Sequence, residues 1–135
     1  MNYQEADAAI KKYFAEQWNN ATQVAYDDVK FDPPNGQTWL RLSLKMVDGG
    51  QASTGAPGSN KFRKSGILTA SVFTPGNQGG IEAMTTAQQV VDIFEAKPRI
   101  NGVLFTDVRA VTIGPDGAGW YQINVKADFQ FDTIK

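Results

Sequence analysis

Apolar residues recur every three or four positions in two stretches of this chain and every second position in three others, and those periods lay out its elements. From residue 3 to 18, Ala6, Ile10, Tyr13, Phe14 and Trp18 share one side of a predicted helix, with Glu5, Lys11, Lys12 and Glu16 mostly outside. Asn19 and Asn20 suit its end. A second helix is predicted from about Ile81, with Ile81, Met84, Ala87, Val91 and Phe94 as its buried stripe and Glu82, Thr85, Gln88, Gln89 and Asp92 turned outward. Pro98 closes it.

Strict alternation marks the strands. Leu40, Leu42, Leu44 and Met46 face one way between Trp39 and Val47, while Trp39, Arg41, Ser43, Lys45 and Val47 face the other. Leu68, Ala70 and Val72 form an apolar face between Gly66 and Phe73, opposite Ile67, Thr69, Ser71 and Phe73, until Pro75 and the glycines Gly76, Gly79 and Gly80 turn the chain. Val103 to Ile113 is apolar on both faces, and Gly114-Pro115-Asp116-Gly117 is a turn. In the last strand, Tyr121, Ile123, Val125, Ala127, Phe129 and Phe131 alternate with Gln122, Asn124, Lys126, Asp128 and Gln130. Val24 to Phe31 suits a short strand or edge segment, broken by Asp27 and Asp28 ahead of the turn Asp32-Pro33-Pro34-Asn35-Gly36. Asp48 to Asn60, DGGQASTGAPGSN, has almost no apolar side chain and is expected to be a flexible arm between two strands.

The order helix, strand, strand, helix, strand, strand predicts one α+β domain, an antiparallel or mixed sheet of about four main strands with both helices on one face. Its 135 residues suffice for a core that needs no crosslinks. Thirteen basic against fourteen acidic side chains, a net charge of -1, give no general attraction for nucleic acid or anionic membrane. Without cysteine or histidine there are no disulfides, no thiolate chemistry, no zinc site of the usual ligand sets and no histidine base. No stretch approaches the roughly 18 apolar residues of a membrane helix, and MNYQEADAAIKKYF lacks the basic-then-apolar order of a secretion signal. A protein used or assembled in the cytoplasm is expected.

Chemistry-bearing motifs are weak. Gly50 and Gly55 have the spacing of a phosphate loop, but Ala56 follows where lysine is required and a strand follows in place of a helix. Gly76 to Gly80 does precede a helix, yet glycines serve any tight corner. Asp27, Asp28 and Asp32 lack the spacing and final glutamate of a calcium loop, and no carboxylate pair stands out for hydrolysis. No cofactor, metal or catalytic residue is predicted.

Taken together, Trp39-Leu40-Arg41-Leu42, Phe62-Arg63-Lys64-Ser65-Gly66-Ile67-Leu68, Phe73-Thr74-Pro75-Gly76 and Gly119-Trp120-Tyr121, with the FDPPNG turn, resemble the tail-terminator or tail-completion proteins of long-tailed, non-contractile bacteriophages, from about Ile10 to Phe131. That resemblance implies a virion tail protein, assembled in the host cytoplasm. It would form a ring, in this family a hexamer, at the head-proximal end of the tail tube. Its partners would be other copies of itself, the tube protein and a head-completion or neck protein. The lumen could pass DNA without any specific nucleic-acid site.

The resemblance supplies no catalytic residues, so the candidates are surfaces. One is the arm, with Gly49, Gly50, Gln51, Ser53 and Thr54, and by resemblance it reaches a neighbouring subunit or the tube. The other is the polar sheet face, with Arg41, Lys45, Gln122, Asn124 and Lys126. Arg41, Arg63 and Lys64 flank strands and either meet acidic groups on a partner or are solvated charges that guard strand edges. Trp18 is expected in the core, whereas Trp39 and Trp120 suit either core or interface. Two function classes remain open: a structural assembly protein, or a non-enzymatic binding module or other connector using the same polar face and arm. An enzyme is least favoured.

Overall fold

A computed structural model describes Met1–Lys135. Seven elements follow in order: α1 (Tyr3–Trp18), β1 (Gln23–Tyr26), β2 (Trp39–Gln51), β3 (Lys61–Pro75), α2 (Ile81–Phe94), β4 (Leu104–Pro115) and β5 (Trp120–Ile134). The strands form one mixed sheet in the order β1-β2-β3-β5-β4, with β1 parallel to β2 and every other pair antiparallel. The α+β class and single domain agree with the sequence pattern. The four long strands are joined by a fifth, β1, within the segment read as a short strand or edge.

Period two in three neighbouring strands sets the layers. Leu40, Leu42, Leu68, Ala70, Val72, Ile123, Val125, Ala127, Phe129 and Phe131 are buried together with Ala6, Ile10, Phe14 and Trp18 of α1 and the inner side of α2. Both helices therefore cover one sheet face and leave the other open. A run of aromatic rings crosses this core: Phe14 stacks on Phe94 at 6.0 Å, Phe94 meets Phe105 at 4.8 Å, and Phe105 meets Phe129 at 6.1 Å. At the start of α1, Asn2 accepts from the Glu5 amide and Glu5 reaches back to the Asn2 amide, satisfying two otherwise free donors.

Helix α2 buries Ala87, Val91 and Phe94 as expected, but not Ile81 and Met84 of the expected stripe. Its buried residues are Ala83, Thr86, Ala87, Val90, Val91 and Phe94, whereas Ile81 is 76% exposed and Met84 53% exposed. Small Ala83 and Ala87 let the helix approach the sheet closely, and Ala83, Thr86 and Val90 complete a contact from which Ile81 and Met84 are turned away. The entry to α2 is tight as well. Gly80 has φ 77°, and a Cβ there would meet the Tyr121 ring at 3.1 Å.

The expected arm is partly regular structure. Asp48, Gly49, Gly50 and Gln51 continue β2 and pair with Ser65, Lys64, Arg63 and Phe62 after a bulge between Met46 and Asp48. Backbone pairing with a neighbouring strand overrides the low strand propensity of the two glycines. Only residues 52–60 lie outside the ladder, and their end is held by the reciprocal amide bonds of Asn60 and Lys135, each 2.9 Å.

Candidate functional site: the open sheet face and the hairpin

The face left uncovered by the helices is built by register. Arg41 pairs across Ser71 to Asn124, Ser43 across Thr69 to Lys126, and Lys45 across Ile67 to Asp128. Gln122 lies in the next row, opposite Phe73 and Trp39, and donates to Asn124 at 2.9 Å. Arg41, Lys45, Gln122, Asn124 and Lys126 are thus brought onto one surface, as their alternation predicts.

Two cations of this face have partners. Arg63 binds Asp132 through two contacts of 2.9 and 3.3 Å, and Arg109 approaches Asp128 at 3.4 Å. The Arg63 hydrogen bond holds the Asp132 carboxyl below the ordinary carboxylate range and raises the guanidinium in turn. Arg41 lies over the Trp39 ring at 5.6 Å, and neither Lys45 nor Lys126 makes an ion pair. Arg41, Lys45 and Lys126 are unpaired positive charges of this face, as is Lys61 beside the hairpin.

Lys64 is separated from Arg63 by the pleat. Its ammonium lies on the helix side, 5.7 Å from the centre of Phe62 and 6.0 Å from that of Tyr3. Gly49 lies beneath it, where a Cβ would meet Lys64 Cδ at 3.0 Å. Gly50 and Gln51 stay in the ladder opposite Arg63 and Phe62. Beyond it, Ser53 Oγ accepts the Lys61 amide at 2.7 Å, and Thr54 is exposed.

One end of the open face carries a second, small core. Trp39 is 4% exposed, stacked on Phe73 at 4.3 Å, with Phe31 at 5.2 Å and Trp120 edge-on at 6.0 Å. Its indole N–H has no partner. The sequence left Trp39 open between core and interface, and this cluster places it in a core. Phe31 escaped notice, although Trp39 and Phe73, both in the outward register, were the available signal.

Asp27 proves to be an edge cap. Where β1 ends, its carboxylate accepts the Ser43 hydroxyl at 2.5 Å and the Leu44 amide at 3.1 Å. No group of three carboxylates converges to hold a metal ion. An open cavity of about 530 Å³ between the end of α1 and β1 is lined by Phe14, Trp18, Thr22, Val24, Tyr26 and Phe31 among others, with no charged side chain. No helix is long and apolar enough to cross a membrane. The exposed apolar residues Ile81, Met84, Val111 and Ile113 were not identified from the sequence as a surface.

Residues 5–129 match the model of the phage tail terminator protein family. The chain belongs to the phage tail terminator family. It is accordingly a structural component of the virion tail. No curated protein sequence matches this tail terminator. Among solved structures, one whose name carries no function aligns over 100% of this chain and 96% of its own, with a TM-score of 0.70 and 19% identity. The sheath/tube terminator of an extracellular contractile injection system, in its extended state, aligns over 100% of the tail terminator and 57% of its own chain, at TM-score 0.56 and 9% identity. At those identities the likeness is one of fold. A chain from the virion of a native gene transfer agent particle aligns over 98% of this chain and 100% of its own, at TM-score 0.48 and 16% identity.

Proposed function

We propose that this tail terminator assembles into a ring, six copies in a closed head-to-tail arrangement, on the head-proximal end of the tail tube. There it ends tube polymerisation and offers its far side to the neck. The ring acts by shape and charge, without catalysis. One of its faces matches the last tube layer, and the other cannot receive another tube subunit.

The observation that carries this reading is the open sheet face of a chain in the tail-terminator family. Several strands of ordered side chains, with Arg41, Lys45 and Lys126 unpaired among Ser43, Thr69, Ser71 and Asn124, are left without intramolecular cover. Such a surface suits a partner with carboxylates and hydrogen-bonding groups. The hairpin tip, with Ser53 and Thr54, stands beside it as the second contact.

The test adds the purified protein to polymerising tube subunits of the same phage. Rings seated at one end and arrested tube length are expected by electron microscopy. A protein that stays monomeric with tubes present and leaves their length unchanged would overturn the proposal. Removing Thr54 to Gly58 should leave a folded chain that caps tubes less well, because none of these residues is buried.

A further inference from the structure

We infer that one half of the contact between neighbouring copies is the corner formed by the first turn of α2 and the outer half of β4, and that it receives the opposite, β1/β2 edge of the next copy. This rests on the ring reading above and adds the two surfaces that would meet.

The corner is fixed by contacts already described. The Gly80 backbone lies against the Tyr121 ring, and Tyr121 stands between Thr74 of β3 and Pro115 of β4, so the start of α2 sits over β5, one strand in from the end of β4. At its other end Phe94 packs on Phe105 near the start of β4, so the helix runs antiparallel to that strand. The Tyr13 hydroxyl donates to the Ile93 carbonyl on the α1 side of α2. Met84, about half a turn round the helix from Ile93, looks away from α1, and Ile81, about a third of a turn from Ile93, lies on the outer side of the helix. On the β4 edge, Ile113 in the bulge between Thr112 and Gly114 is exposed as well, and so is Val111, which pairs with Asn124 and therefore faces the open side of the sheet.

Exposed apolar residues on both sides of one sheet edge call for a partner. The chain's other exposed large apolar residues are Val29 and Val47, with Tyr3 and Ile134 near the hairpin end. Val29 follows β1, and Val47 lies in the β2 bulge past the point where β1 stops covering β2. The exposed apolar surface is thus divided mainly between the two opposite edges of one sheet. A closed ring needs two different patches on each copy, the one fitting the other, and opposite edges supply that.

The edge of β4 also limits how copies can join. Its register slips between Thr106 and Val108 and again between Thr112 and Gly114, leaving Val108–Thr112 as the regular stretch between them. Bulges turn an edge and prevent flat strand addition, so an incoming copy must be rotated against the first. Rotation closes a ring, where flat addition would extend a sheet.

The absence of cysteine makes the test clean. Val47→Cys and Ile113→Cys variants are mixed with unlabelled tube subunits and treated with a short bismaleimide. Cross-linked dimer is expected in the mixture and in neither variant alone, and the double variant should give a ladder of covalent oligomers. Separately, Ile81→Asp with Met84→Asp should lower ring yield about tenfold or more with an unchanged thermal unfolding midpoint. Rings that form normally yet give no mixed cross-link, or Ile113→Cys linking to itself, would overturn the inference and leave the ring standing. Unaltered protein that never forms rings would overturn both.

Discussion

Gly66 stands in the middle of β3 where only hydrogen fits. A Cβ there would lie 2.5 Å from the Lys45 carbonyl oxygen and 2.6 Å from Phe129 Cζ, so both the β2 backbone and a buried ring would have to move. Overpacking of this kind costs about 3 kcal/mol, and Gly66→Ala should lower the urea midpoint accordingly without changing the slope. A variant as stable as the parent would show that β2 yields at this point. The pattern Arg63-x-x-Gly66 thus has a local reason in two parts, since Arg63 holds Asp132 on the opposite face. Because the Arg63 hydrogen bond lowers the Asp132 carboxyl in the folded chain, its contribution is present above the unfolded carboxylate range and lost as pH falls through the folded value. Below about pH 4 the parent should therefore lose thermal stability more steeply than Asp132→Asn. Parallel curves for the two proteins would remove the ion pair from the explanation of acid sensitivity.

Elements show which physical signals a sequence transmits. Strands β2, β3 and β5 were legible because period two is strict, and it placed Arg41, Lys45, Gln122, Asn124 and Lys126 on one face without any knowledge of pairing. Parity also separates Arg63 from Lys64, which the reading by charge had grouped together. The phase of α2 was only partly legible: Ala87, Val91 and Phe94 are buried as expected, whereas Ala83 and Thr86, whose value lies in allowing close approach, take the inner places given to the bulkier Ile81 and Met84. Position β1 depends on a parallel partner beginning sixteen residues later, Gln23 with Trp39, and no local pattern encodes that pairing. The true phase has a direct test. Phe94→Ala empties the space between Phe14 and Phe105 and should cost about 3–5 kcal/mol, whereas Met84→Ser should change stability by less than about 0.5 kcal/mol. Comparable losses at the two sites would restore the phase expected from bulky residues alone.

At the scale of the molecule, a net charge of -1 conceals an uneven arrangement. The open face keeps Arg41, Lys45 and Lys126 unpaired, while Asp128 and Asp132 on the same face are engaged by Arg109 and Arg63. Its free charge is therefore positive, although carboxylates remain close enough to disfavour a phosphate backbone. An acidic protein surface is the better complement, because it can fit the spaces between fixed charges. If that face docks on the tube, Arg41→Glu, Lys45→Glu and Lys126→Glu together should weaken capping by about tenfold or more and reverse its response to salt. Capping by the parent should fall as salt rises, and residual capping by the triple variant should improve as repulsion is screened. Ring formation should survive in the variant, since the proposed contact between copies lies at the two sheet edges. Loss of rings together with capping would place these cations between subunits, and unchanged capping would leave docking to the hairpin and the ring rim. The salt response separates charge attraction from misfolding, because a misfolded cap would not recover when salt is added.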